Sequence, residues 1–375
     1  MDKLSIPRPL QVIMDDVGWF NGRDDRKIGG PSRTGLNRYH FLEDYMAIEE
    51  FGTMLGQKIN CAFVMGEWDI ENVLPRKIKH FSHFGDSWDN AKYRDPNEMA
   101  QIAEFVSGAE HIDVALHGLY HGYYMPGVDN HDLSDYYYRI NKELFMVDAD
   151  EIRTRIDTFL EMLIKYGIKK EVNSFVPPSG AYRVNELSAI LREFGILYVT
   201  LPFRVMTPKI EDPDETVFIE NDIISSNRYE QKALPWFGYD LDFDNAIIPN
   251  GIQGTHWPNI LNMDPKRNSE SVAKTRGFFT RGADRFDLVI TRDVAECSTQ
   301  YLYEKYTKVT QDGNEYTFDF SEVPYATGRL GYFVVNVKGR ISAADGCAYE
   351  VYGRRRDFTN YTLKLEGNTA KIRIE

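Results

Sequence analysis

The sequence predicts an α/β protein in which βα units surround a parallel sheet or barrel, followed by an antiparallel β tail. Two patterns carry that prediction. Short apolar, β-branched runs alternate with longer helix-patterned stretches through most of the 375 residues. Beyond about Ala295 the pattern becomes alternating Tyr, Val, Phe and Thr broken by turn dipeptides. The expected division is therefore 1–295 for the βα region and 296–375 for a β-rich accessory region, and a chain this long can bury a core without staples.

Taken in order, the strand-like runs are residues 10–14, 59–64, 112–116, 174–176, 197–200, 246–248 and 287–290. The clearest helical stretches are 39–55, 97–108, 150–166 and 185–194, with Asp150 and Asn185 standing where N-caps belong. Residues 19–38 (WFNGRDDRKIGGPSRTGLNR) are too long and polar for a simple connection, and a loop leaving a first strand in this way suits substrate binding or a solvated excursion. In the tail, Asp312-Gly313, Glu366-Gly367 and the run GYFVVNVKG read as hairpins of a packed sheet or of a small carbohydrate-binding module.

Composition narrows the function. The net charge is −13, from 44 basic against 57 acidic side chains, and no basic run is long enough to track a phosphate backbone, so nucleic acid is not an expected partner. Cys61, Cys297 and Cys347 are odd in number and widely spaced, which argues for reduced, buried thiols. With no charged-then-apolar leader and no run of about 20 apolar residues, the chain as written reads as cytoplasmic with no membrane span. Removal of a signal peptide would make it extracytoplasmic.

Four predicted strands end in reactive residues, where catalytic groups of parallel α/β folds gather. They give Asp15-Asp16-Val17-Gly18, His117-Gly118-Leu119-Tyr120-His121, Pro177-Pro178-Ser179-Gly180 and Gly254-Thr255-His256-Trp257. Two His four apart converge if one helical turn lies between them, and a neighbouring carboxylate completes three ligands to a divalent metal with an open fourth position. Such a metal lowers the pKa of water from about 15.7 to about 7 and polarises a carbonyl, which amide hydrolysis requires. A lone HxxxH is more often structural; paired Asp, paired His and a further His at three strand ends together favour a metal hydrolase.

These residues resemble the NodB-type polysaccharide deacetylases, carbohydrate esterase family four, over roughly residues 8–295: an Asp-Asp-Gly-like turn is the first motif and HxxxH the second. The resemblance implies a distorted (β/α) barrel of the polysaccharide-deacetylase type with a C-terminal antiparallel β appendage. It implies Asp16, His117 and His121 as metal ligands, Asp15 as general base and His256 as general acid. The expected cofactor is one divalent metal, zinc first, with cobalt, nickel or manganese suited to the same ligands. The expected reaction removes the N-acetyl group from an N-acetylhexosamine of glucosamine or galactosamine type in a glycan.

The chain departs from that pattern in three places. Residues 68–93 look inserted, and Val176 and Ser179 replace the usual Arg and aromatic of the third motif, so Arg183 or an Arg of the 19–38 loop is needed to orient Asp15. The fourth segment has Gln253 and Trp257 in unusual places, leaving Asp240, Asp242 or Asp244 to orient His256. The expected substrate-binding set is Trp19, Pro178, Ser179, Gly180, Tyr182 and Trp257, with Tyr120, Tyr123 and Tyr124 flanking the His pair; for each aromatic, core packing competes with sugar stacking. His40, His80, His83, His111 and His131 read as structural or surface residues. Rival readings are a hydrolase of another amide or ureide, a glycosidase with two flanking carboxylates, and a non-catalytic glycan-binding protein.

Overall fold

Residues 3–91, 94–212, 214–230, 235–241, 251–355 and 357–375 are described by a computed structural model. Nine strands form the main sheet: β1 (Val12–Val17), β2 (Ile59–Val64), β3 (Ile112–Gly118), β4 (Ser174–Phe175), β5 (Tyr198–Leu201), β6 (Val217–Glu220), β7 (Ile223–Asn227), β8 (Tyr229–Glu230) and β9 (Gln253–His256). Their order is β6-β7-β5-β4-β3-β2-β1-β9-β8. Every neighbouring pair is parallel except β6 with β7.

The sheet curls without completing the (β/α) barrel that the motifs imply. After β5 the described residues of 202–216 form a 3-10 turn at Phe203–Val205 but no α-helix, and the β6–β7 hairpin follows, where a barrel would place a helix. Yet β7 pairs with β5 and β8 with β9, and only Arg228 separates β7 from β8. That one residue therefore stands where the two ends of the curled sheet meet.

All residues of β1 and β2 are buried, as expected of parallel strands covered on both faces. Val12, Met14, Cys61, Phe63 and Leu116 share a core with helices α1 (Leu42–Leu55), α2 (Leu74–Lys77), α3 (Pro96–Gly108) and α4 (Ala149–Tyr166). Their alternates Ile13, Ala62, Ala115 and Val176 share a second core with α7 (Val294–Tyr306) and the tail. The expected boundary at 295 thus falls inside α7, whose Cys297, Tyr301 and Leu302 pack into that second core.

The antiparallel tail starts later than the sequence indicates, at Lys308, because α7 comes first. Seven strands follow: β10 (Lys308–Asp312), β11 (Glu315–Asp319), β12 (Tyr332–Val337), β13 (Ile341–Asp345), β14 (Cys347–Arg355), β15 (Phe358–Leu365) and β16 (Thr369–Ile374). One sheet runs β10-β11-β16-β13, and β12-β15-β14 form another, to which the N-terminal Leu4–Ser5 adds an edge.

Several boundaries shift for identifiable reasons. Helix α4 is capped by Asp148, whose carboxylate accepts from the Asp150 and Glu151 N–H groups, so Asp150 belongs to its first turn. Helix α5 (Ser188–Glu193) starts three residues after Asn185, which sits in a left-handed conformation (φ 66°) and donates its N–H to Glu220. Val289–Ile290 pairs with Pro9–Leu10 outside the main sheet, and the strand expected at 246–248 lies outside the described residues. Among the described residues no helix is long and apolar enough to cross a membrane.

Candidate metal centre

The sheet is irregular where the reactive residues sit. Between β1 and β2, Met14 faces Cys61 but Val17 faces Phe63, so the Asp15–Asp16 step carries one extra residue, and Asp16 is left-handed at φ 65°. Between β2 and β3, Phe63 faces Leu116 while Val64 faces Gly118, which leaves His117 as the extra residue. A bulge re-aims a side chain that a regular pleat would bury within the sheet. Both proposed ligand strands use one.

His117 and His121 converge by a different route from the helical turn expected of HxxxH. His117 is the last residue but one of β3, Gly118 takes φ 135° and His121 φ 51°, so the chain doubles back through positive-φ steps. A Cβ at Gly118 would lie 2.2 Å from Oδ2 of the buried Asp135, which is why glycine is required there.

Asp16, His117 and His121 each offer an atom within 4.8 Å of the others, all three side chains being buried. His117 Nδ1 faces the Val176 carbonyl at 2.6 Å, which leaves Nε2 as the lone-pair nitrogen 3.9 Å from Asp16 Oδ1. His121 Nδ1 lies 3.0 Å from Asp132 Oδ1, so its Nε2 likewise turns inward. Asp16 Oδ1 is buried with no hydrogen-bond partner. One carboxylate and two imidazoles, each imidazole backed by an acceptor, fit a divalent cation, and the orphaned oxygen is what such an ion would satisfy.

The protonation states differ along this trio. Burial holds the His117 imidazole down to about 4, so it is neutral and ready to ligate at pH 7. Burial also opposes protonation of His121, but the hydrogen bond to Asp132 and the charge of Asp16 overcome it and raise the ring to about 9.

Asp15 is clamped by Arg228, whose two terminal nitrogens donate to its two oxygens at 2.7 and 2.6 Å. Burial alone would raise the Asp15 carboxyl; the charge and hydrogen bonds of Arg228 bring it down to about 2. The orienting arginine is thus neither Arg183, which donates to the Leu144 carbonyl, nor one from the 19–38 loop. It comes from the β7–β8 junction, and a Cβ on Gly254 would lie 3.0–3.2 Å from its Cδ, Nε and Cζ. His256 Nε2 stands 4.0 Å from Asp16 Oδ2 on the other side. Its ring meets Trp236 at 4.6 Å rather than Asp240, while Asp242 and Asp244 lie outside the described residues.

These groups line a cleft of about 500 Å³ shared with Arg26, Gly30, His131 and Ser179. Of the expected substrate-binding set only Ser179 reaches it, exposed and left-handed at φ 52°. Pro178 and Gly180 are buried in the same turn, and the N–H groups of Gly180 and Ala181 are already bonded to the Pro177 and Pro178 carbonyls.

Trp19, Trp257 and Tyr182 are 0% exposed and cannot stack on a sugar: Trp19 packs on Tyr120, Trp257 on His40 and Tyr45, and the Tyr182 hydroxyl donates to Glu220. Trp236, 41% exposed beside His256 and fixed by its indole N–H to the Thr34 carbonyl, has the exposed face they lack. Sequence reasoning missed it, along with Arg228 and Asp132; only the aromatic pair Trp236-Phe237 ahead of the fourth motif pointed that way.

No protein-family model matches the chain, and no curated protein matches it. Among solved structures, Agd3, a novel carbohydrate deacetylase, superposes at a TM-score of 0.55 with 11% identity, over 98% of this chain. The fold is like that of Agd3. This chain corresponds to 65% of the length of the Agd3 chain. A 4-alpha-glucanotransferase from Thermococcus litoralis matches at a TM-score of only 0.39 and 11% identity, over 76% of this chain and 39% of that one, too little to carry an argument.

Proposed function

We propose that this chain is a metal-dependent carbohydrate N-deacetylase that removes the acetyl group from an N-acetylhexosamine unit of a glycan. The observation that carries the reading is the Asp16, His117 and His121 group, which opens on one cleft between the clamped Asp15 and His256. The fold likeness to a carbohydrate deacetylase and the NodB-like motif pattern support it.

Asp16, His117 and His121 would hold the ion, zinc first by donor chemistry. A divalent ion bound there supplies Lewis acidity to the amide carbonyl and acidifies water, so that a base as weak as Asp15 is sufficient. Asp15, kept ionised by Arg228, takes the proton of the water that attacks the acetyl carbon. His256 Nε2 gives a proton to the amide nitrogen as the C–N bond breaks, yielding acetate and a free amine. The exposed face of Trp236 offers a platform for the sugar ring beside that nitrogen. Ser179 is the member of its turn placed to meet the carbonyl oxygen.

The test is the metal content of purified protein, wild type beside His117→Ala/His121→Ala, with acetate release from N-acetylglucosamine and N-acetylgalactosamine glycans. Stoichiometric metal and acetate from wild type alone are expected. Wild type that takes up no metal even when supplemented would end this reading.

Asp132 backs His121, so Asp132→Ala is expected to weaken metal affinity about 10- to 100-fold. Competition with a chelator measures it. An unchanged affinity would leave Asp132 without a part in the site.

A further inference from the structure

The geometry points to a second carbohydrate subsite, a pocket for one hexose ring beside the catalytic cleft, separated from it by the turn of residues 25–30. The pocket has a volume of about 320 Å³, and Tyr39, Phe84, Trp88, Arg33 and Glu67 are among the residues that line it. Asp25 and Ile28 face this pocket, whereas Arg26, Gly29 and Gly30 of the same turn face the catalytic cleft. The wall is held close: a Cβ on Gly30 would lie 2.6 Å from both the Asp25 Cβ and the His83 Cε1.

Most of the charge inside the pocket is paired. Arg33 pairs with Asp25 and Glu67, and Glu67 also takes Arg94 together with the Phe20 and Asn21 N–H groups. Both Glu67 oxygens are thereby used, which argues against a cation site, and two paired arginines argue against an anion site. What remains is polar with a small acidic excess, Asp25, Glu67 and Asp89 against Arg33 and Arg94, and Arg33 Nε is buried and lacks a hydrogen-bond partner.

Its rim is aromatic. Tyr39 is 46% and Phe84 42% exposed, and Trp88 forms the wall behind Phe84 with ring centroids 6.1 Å apart. Exposed aromatic faces over a polar floor whose arginines are both paired suit a neutral sugar ring, whose C–H face stacks while its hydroxyls find donors and acceptors. Because one turn of chain separates pocket from cleft, a glycan of several units would fill both and a single sugar only one. The subsite therefore favours polymeric over monomeric substrate, and its assignment to a substrate rests on the deacetylase reading.

Kinetics on pentamers and monomers of N-acetylglucosamine and of N-acetylgalactosamine test the subsite, comparing wild type with Phe84→Ala and, separately, Tyr39→Ala. Neither residue belongs to the catalytic group. The expected result is a KM for the preferred pentamer raised about 5- to 10-fold, with kcat and monomer kinetics unchanged. A pentamer KM equal to wild type in both variants overturns the subsite and leaves the deacetylase reading intact. If no sugar yields acetate, retardation in gels containing a soluble N-acetylglucosamine or N-acetylgalactosamine polymer decides. Retardation of wild type lost in both variants keeps the subsite without the enzyme, and equal mobility of all three proteins removes it.

Discussion

Asp15→Asn is expected to lower kcat for acetate release about 10²- to 10⁴-fold while leaving metal content unchanged, because Asp15 is not one of the three converging donors. The two measurements together separate a base from a ligand. Arg228 extends the test. It holds both Asp15 oxygens, and without it burial is the dominant influence on that carboxyl and moves it upward. Arg228→Met should therefore shift the acid limb of the pH–rate profile to higher pH as well as lower the rate. It should also destabilise the protein by about 3–5 kcal/mol, since a buried carboxylate loses its partner. Asp15→Asn protein with wild-type kcat would remove Asp15 from the reaction.

Much of the sheet was readable because parallel strands buried on both faces are continuous apolar runs. Ile59–Val64 is an example: its predicted and observed limits coincide. The ends were less readable where local chemistry competes. Asp148 and Asp150 both look like caps, and only the carboxylate that reaches two N–H groups decides between them. The alternating tail concealed α7, whose buried residues lie on nearly all sides because sheet and tail sandwich it, which erases the one-sided periodicity of a surface helix.

The candidate metal donors were legible and the groups that aim them were not, for a physical reason. Asp16, His117 and His121 lie in short motifs, so residue type and spacing expose them. Arg228 meets Asp15 across 213 residues of sequence, and Val176 offers His117 a backbone carbonyl, which no side-chain pattern encodes. The aromatics failed differently. Adjacency to a motif made Trp19 and Trp257 look like sugar platforms, but Trp257, next after the strand-end His256, packs against Tyr45, and Trp19, two residues beyond β1, packs against Tyr120. Trp236 lies outside any strand and meets His256, which lines the cleft, while its indole N–H is tied to the Thr34 carbonyl.

The loop of residues 19–38 bears on both the cleft and the second pocket; Glu67 holds Phe20, Asn21 and Arg33, and Asp44 anchors the C-terminal end of the loop. This fully buried carboxylate accepts two hydrogen bonds from Arg38 at 2.6 and 2.8 Å, one from His40 Nδ1 at 2.9 Å and one from Asn268 at 2.8 Å, tying the loop to α1 and to the helix α6 (Asn268–Arg285). Asp44→Ala is expected to destabilise the protein by about 3–5 kcal/mol at pH 7, since Arg38 and His40 lose their acceptor in the interior. Burial pushes the Asp44 carboxyl up, but the hydrogen bonds and charges of His40 and Arg38 outweigh it and hold the group well below its ordinary 3.8. A depressed folded value means that the stabilisation is complete above pH 4 and declines as pH falls further, because the unfolded chain then binds the proton first. Urea unfolding of wild type and variant at pH 7, 4 and 3 should therefore show a gap that is constant from 7 to just above 4 and narrower at 3. A gap that stays constant down to pH 3 would mean that packing around the side chain, and not its charge, holds the loop in place.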